Sequence, residues 1–259
     1  MKFDMHCHTK EGSVDAKVGI EAYVKRLMEL GFDGMLVTDH NSYKGHDKWQ
    51  EIREAFEKKV GRSFVVLRGI EYDTRDAGHM LVILPDRIKT RLLEARGMTL
   101  NELKKVVHYL GGIIGPAHPY GTGFFALMHT KAGRKNVFSG FDFVEGLNSC
   151  SKPHQNRKQH RFARRSGKTV FCGSDSHKLQ YVGSAYTIFE RTIRNNDDLI
   201  RAVRESVKTK RGLVGIEFLQ KKHRKFTEDL GILGYYVLNK TMAFVNVIKR
   251  KRKMAKIRF

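Results

Sequence analysis

The sequence predicts a parallel α/β fold. Short apolar segments alternate with helix-periodic ones from residue 2 to about residue 207. Side chains able to ligate metals recur where the apolar segments end, and in parallel barrels function collects at the C-terminal strand ends. No internal repeat or low-complexity linker interrupts the pattern before a basic tail.

Taken in order, the first strand covers residues 2–7 and closes on His6-Cys7-His8. In an extended strand, positions i and i+2 share a side, so the two imidazoles face one way and Cys7 the other. A Gly/Ser-containing loop, residues 10–15, leads to a helix over residues 19–30 with apolar spacing at Ile20, Val24, Leu27 and Leu30, ended by Gly31. A strand at 34–38 terminates in Asp39-His40-Asn41, and a helix over 46–58 follows. The next strand, 64–70, ends at Glu71; a short turn reaches His79 and a fourth strand at 80–84. Thr99 and Glu102, three residues apart, read as a capping box opening a helix to Leu110. The fifth strand, 112–117, ends in His118-Pro119. A sixth strand at 141–147, a basic helix at 153–166 and a seventh strand at 169–173 lead to Ser174-Asp175-Ser176-His177. An extended piece at 185–189 and a helix at 196–207 complete the regular part.

With 259 residues the chain has room for one large α/β domain or two small ones, and we expect a barrel over 1–215 followed by a helical extension and basic tail over 216–259. Residues 217–248 read as helical, with a basic start at Lys221–Lys225. They suit a helical hairpin on the outside of the barrel, or an interfacial membrane helix with basic flanks. The net charge is +22 and the pI about 10.0, a field that attracts nucleic acid, phosphorylated metabolites or acidic lipid. Seven of the last eleven residues are Lys or Arg. Three cysteines without CxxC spacing argue against a disulfide framework. No apolar run long enough for a secure transmembrane helix and no signal-peptide core are seen, which leads us to expect a cytoplasmic protein.

His6, His8, His40, Glu71, His79, His118, Asp175 and His177 carry the chemistry as a joint pattern. Mixed nitrogen and oxygen donors suit zinc, manganese or iron. Eight side chains exceed the needs of one ion, so more than one is expected, with Glu71 able to bridge. Such centres activate water and clamp phosphate oxygens, which fits hydrolysis of a phosphate ester. P-loop, GxSxG and CxxC motifs are absent, which removes several competing reactions.

The ordered set His-x-His, Asp-His, Gly-Ile-Glu, Gly-His, Ala-His-Pro and Ser-Asp-Ser-His resembles the PHP (polymerase and histidinol phosphatase) family over roughly residues 1–190. The resemblance implies a distorted (β/α)7 barrel, to which this chain's own pattern adds a C-terminal basic helical extension, with two or three divalent ions (Zn, Mn or Fe) and metal-dependent phosphoesterase activity. It assigns His6, His8, Glu71 and Asp175 to a first ion. A second takes Glu71 with His79 and His118, and a third takes His40, His177 and Asp15. Asp39 is expected to orient a ligand or the strand end. Attack by a metal-bridging hydroxide is the expected mechanism, with Asp175 or His177 as candidates to protonate the leaving group. Lys152 and Arg157, at the start of the basic helix, are the expected phosphate partners, and residues 120–125 a candidate aromatic wall. The expected substrate is a phosphorylated small molecule or a nucleotide. The alternatives are a nuclease acting on short oligonucleotides or a 5′ end, and a non-catalytic module docking on nucleic acid or, through 217–259, on an acidic membrane.

Overall fold

The computed structural model of the chain describes residues 1–135, 139–206, 209–213 and 226–255. Among the described residues nine strands form: β1 (Lys2–Cys7), β2 (Gly34–Val37), β3 (Val65–Asp73), β4 (His79–Ile83), β5 (Ile113–Pro116), β6 (Phe143–Asn148), β7 (Thr169–Gly173), β8 (Ala185–Phe189) and β9 (Thr209–Leu213). The helices are α1 (Ile20–Glu29), α2 (Lys44–Val60), α3 (Leu100–Tyr109), α4 (Lys131–Lys135), α5 (Pro153–Ser166), α6 (Asn196–Arg204), α7 (Phe226–Val245) and α8 (Val247–Met254). α3 opens on the capping box that the Thr99–Glu102 spacing predicts.

Seven strands pair in the order β5-β4-β3-β2-β1-β8-β9, and β6-β7 form a separate pair. The sheet curls, and the pair sits between its β5 and β1 strands. The Asp142 N–H donates to Ile114 O at 2.9 Å on one side; a Cys7–Ser176 bridge and the Asp175 N–H to His6 O (2.8 Å) tie the other. The fold is therefore α/β with a curled sheet, while the ring of a barrel is not one continuous ladder. The expectation of an all-parallel arrangement is corrected as well. β1, β2 and β3 run parallel, but β4 is antiparallel to β3, and β8 to β1. The reason is chain length: the β3–β4 connection spans only residues 74–78, and a parallel crossover needs a dozen residues or more.

Side chains alternate between the concave and convex faces. Phe3, Met5, Leu36, Leu67, Leu81, Ile83, Ile113, Phe143, Phe171 and Phe189 share one inner cluster, which Leu199, Ile200 and Val203 of α6 close at one end. Asn196 anchors that plug by donating to the carbonyls of Arg68 and Leu84. On the outside, Met35 and Val37 pack with Tyr23, Leu27 and Trp49, under α1 and α2. The open end of the interior, opposite α6, carries the polar residues.

The C-terminal part departs from expectation. β9 occupies a stretch the sequence pattern leaves unassigned, and pairs with β8. The boundary at 215–216 and the basic start at Lys221–Lys225 lie outside the described residues. α7 does not pack on the barrel's outside: Tyr235 and Tyr236 meet the polar end of the sheet, at His40, Phe124 and Phe125. Downstream, Arg250 is buried and its guanidinium donates to the carbonyls of Arg96 and Ala243.

The seam between β5 and β6 depends on Gly115, where an added Cβ would lie 2.5 Å from the Phe143 carbonyl oxygen. Gly115→Ala is expected to destabilise the fold by about 1–3 kcal/mol. Thermal unfolding reads this as a drop of several degrees, and an unchanged melting temperature would contradict the seam.

Candidate metal centre

The polar end is assembled by three features of the strands. The pairing of β1 with β2 slips between Asp4 and Cys7. Phe3 and Met5 therefore lie in the inner cluster while Cys7 lies in the outer one, and the alternation after the slip turns His6 and His8 inward. The β3–β4 hairpin sets Asp73 opposite His79. Because β4 runs backwards, His79 at its start comes level with the C-terminal ends of the parallel strands. The remaining residues come from strand ends, two of them at positive φ: His118 (+26°) and Asp175 (+53°), with Asn41 beside His40 at +49°. Such φ values cost free energy in non-glycine residues and cluster at functional sites.

Glu71 stands at the centre, about 1% exposed. Its Oε1 lies 3.0 Å from His79 Nδ1 and 2.9 Å from His118 Nε2. Its Oε2 lies 3.2 Å from His8 Nε2, 3.2 Å from His40 Nδ1 and 3.5 Å from His6 Nε2. Asp175 Oδ1 is 3.2 Å from His8 and 3.6 Å from His6. Asp15 reaches His177 Nε2 at 3.2 Å and His40 Nε2 at 3.9 Å. The structure thus brings together His6, His8, Asp15, His40, Glu71, His79, His118, Asp175 and His177.

Electrostatics explains how this set survives burial. Burial opposes the ionised form of Glu71, but the surrounding imidazoles, His79 and His40 foremost, outweigh it and hold the carboxyl well below its ordinary range. Asp175 is held low in the same way by His6 and His8. Conversely, burial disfavours charge on His8, yet hydrogen bonds to Asp175 and Glu71 raise its pKa to about 10. His6 and His79 are also raised, their burial outweighed by neighbouring carboxylates.

The donor set fits divalent ions. His40 Nδ1, Asp73 Oδ1, His79 Nε2, His118 Nδ1 and His177 Nε2 are buried atoms without a hydrogen-bond partner, a costly condition for so many groups in one place. Four groups of three donors converge within 4.8 Å: His6, His8 and Glu71; Glu71, His79 and His118; His8, His40 and His177; and His40, Asp73 and His79. The last includes Asp73, which the sequence reading missed by ending the strand at Glu71. β3 runs on to Asp73, and the Glu71-Tyr72-Asp73 spacing was the available signal.

Glu145 was missed too. It is fully buried, 3.0 Å from His6 Nδ1, and accepts from the His118 backbone N–H. Asn148 Nδ2 donates to both Glu145 and Asp175. These contacts set ring orientation and tautomer, as outer partners of metal ligands do. Asp39 works one step further out: it accepts from the Thr9 N–H and the Ser13 hydroxyl, and Ser13 Oγ lies 3.1 Å from His8 Nδ1.

Beside the centre lies a cavity of about 330 Å³. Asp73 and His79 form one wall, Phe124, Phe125 and Tyr236 another, and Arg75, Lys131, Arg134 and Lys240 supply positive charge. Of the expected aromatic wall, Phe124 and Phe125 line this cavity, whereas Tyr120 packs edge-on against Phe162. Lys152 is exposed at the start of α5, and Arg157 lines a separate depression with Leu147, Pro153, Asn156, His160 and Arg161, none of them an expected ligand. Cys7 and Cys172 are buried thiols.

Ions entering this centre must displace protons from imidazoles held above their usual pKa. Metal affinity is therefore expected to rise steadily between about pH 6 and about pH 8, with proton release on binding. Calorimetric titration with zinc or manganese in buffers of different ionisation enthalpy checks this; buffer-independent heats would contradict it.

A family model described as PHP-associated matches residues 153–207. No curated protein sequence matches the chain. Among solved structures, a protein from Bifidobacterium adolescentis proposed to be a metal-dependent phosphoesterase is similar with a TM-score of 0.54 and 16% identity, over 80% of this chain and 96% of that one. A two-domain protein from Bacteroides vulgatus containing a predicted PHP-like metal-dependent phosphoesterase gives 0.55 and 18%, over 82% of this chain and 64% of that one. The lesion-specific endonuclease EndoQ from Pyrococcus furiosus gives 0.56 and 18%, over 81% and 57%. A PHP-associated model thus matches from α5 to α6, inside a fold shared with PHP-like structures.

Proposed function

We propose that the chain is a metal-dependent phosphoesterase that hydrolyses a phosphomonoester or nucleotide. The observation that carries this reading is the crowd of imidazoles around one ionised, buried carboxylate, Glu71, with several buried ring nitrogens outside hydrogen-bond geometry. Such a donor set is expensive to bury unless cations complete it. His6, His8, Glu71 and Asp175 would hold one divalent ion, Glu71, His79 and His118 a second, and His40, His177 and Asp15 a third. Zinc, manganese or iron bound there would supply Lewis acidity toward water and phosphate oxygens.

The protein's own residues do the remainder. Glu71 keeps the site's negative charge at its centre. Glu145 and Asn148 hold His6 and Asp175 in place. Asp175, held ionised by His6 and His8, is a poor acid. His177, with a quarter of its side chain exposed and Nδ1 2.9 Å from Asp175 O, would pass a proton to a leaving group only while its Nε2 holds no ion.

The first test is metal content by mass spectrometry beside hydrolysis of an aryl phosphate with and without manganese. Two or three ions per chain are expected, with turnover that Asp175→Asn lowers at least about a hundredfold. A metal-replete protein without turnover, or turnover indifferent to Asp175→Asn, would sink the reading.

A second reading, a nuclease or nucleotide-selective enzyme, is favoured by the cavity beside Asp73 and His79. Aromatic faces and cations together suit a base and its phosphates, and the similarity to a lesion-specific endonuclease agrees. Replacing both Phe124 and Tyr236 by Ala is expected to raise KM for a mononucleotide or short oligonucleotide about tenfold and leave KM for an aryl phosphate nearly unchanged. Equal effects on both substrates would remove the cavity from base recognition.

A further inference from the structure

α7 has two unlike faces. The inner one holds Tyr235, Tyr236, Ala243 and, past the junction with α8, Asn246 and Arg250. The outer one presents Leu233, Val237, Phe244 and Ile248, at spacings of four, seven and four residues that keep one side of a helix. Phe244 is 81% exposed, Ile248 63%, Leu233 58% and Val237 54%; Leu238 and Val245 flank them. The helical register continues across the junction, since the Asn246 N–H donates to Met242 O and the Arg250 N–H to Asn246 O. Single exposed apolar residues need no explanation, but a contiguous run of them does.

Charge identifies what covers this face. Between Leu233 and Ile248 the one charged residue is Lys240, whose ammonium is turned to the Arg75 carbonyl. Directly beyond lie Lys249, Lys251 and Arg252, all exposed. No acidic residue occurs from Gly231 to Phe259, and Lys221, Lys222, Arg224 and Lys225 precede α7 in the sequence. Glu228 and Asp229 lie between those cations and Leu233, so the acid-free run of cations is the one beyond Ile248; an apolar helix face continued by such a run is complementary to an anionic bilayer, with apolar side chains among the acyl chains and Lys and Arg among the headgroups. No helix among the described residues is long and apolar enough to cross a membrane, so the contact is peripheral.

We propose that the outer face of α7 and the start of α8 dock the protein on acidic membranes. The test is flotation of the full chain with phosphatidylcholine vesicles, with and without phosphatidylserine. Binding is expected to require phosphatidylserine, and to fall about tenfold or more in Phe244→Asp/Ile248→Asp and in Lys251→Glu/Arg252→Glu. All four positions are exposed, so unchanged melting temperatures are expected in both variants. Three results would overturn the proposal. One is absence of vesicle binding by the wild type. Another is wild-type affinity in the Phe244→Asp/Ile248→Asp variant, which would leave electrostatics alone. The third is a dimer in sedimentation that this variant dissociates without any vesicle binding, which would assign the face to a second copy of the chain.

Discussion

The structure of the polar end depends on one constraint: Glu71 is ionised and almost wholly buried, and five imidazoles meet its two oxygens. An isolated buried carboxylate would take up a proton. Here the neighbouring rings stabilise the charge, and the same carboxylate raises the pKa of His6, His8 and His79. Neither side of that exchange is stable without the other. Burial therefore forces the rings and the carboxylates into one cluster, and β1, β2, β3, β5 and β7 have to end, and β4 to begin, at the same level to supply it.

That requirement explains several irregularities elsewhere. The slip in β1, the positive φ at His118 and Asp175, and the reversal of β4 each carry a local cost in regularity. Each turns a donor toward Glu71. Behind the donors, Glu145 occupies an inward position of β6 two residues past Phe143, where the alternation would otherwise place another apolar side chain. Its carboxylate spans His6 and the His118 backbone, linking β1 to β5 across the β6–β7 pair.

α7 joins this centre to the outside. Tyr235 sets its hydroxyl 3.4 Å from Asp73 and its ring 5.4 Å from that of His40, while Leu233 and Val237, two residues to either side, face outward. One helix thus borders the site with its aromatic face and presents an apolar face away from it. The sequence pattern alone suggested a hairpin on the outside of the barrel, because apolar helix faces ordinarily turn inward. In α7 the inward turn is made by tyrosines, which can bury a ring and still keep a polar tip near Asp73.

Local pattern was enough to read the strands from β1 to β8, the capped start of α3, and eight donors at strand ends. Periodicity and capping act over a few residues, and ligand types stand out wherever an apolar run stops. Asp73 and Glu145 escaped because their meaning lies in pairing: Asp73 counts only once β3 continues into its hairpin, and Glu145 only once β6 lies beside His6. Lys152 and Arg157 were placed by helix position, which says nothing of the direction in which α5 leaves the sheet. The sequence by itself determined which residues can bind ions and that they cluster at strand ends, since those follow from side-chain chemistry and short-range alternation. Strand direction, the curl that brings six strand ends together and the course of α7 over the site were decided by tertiary structure alone, because contacts between residues far apart in the chain settle them.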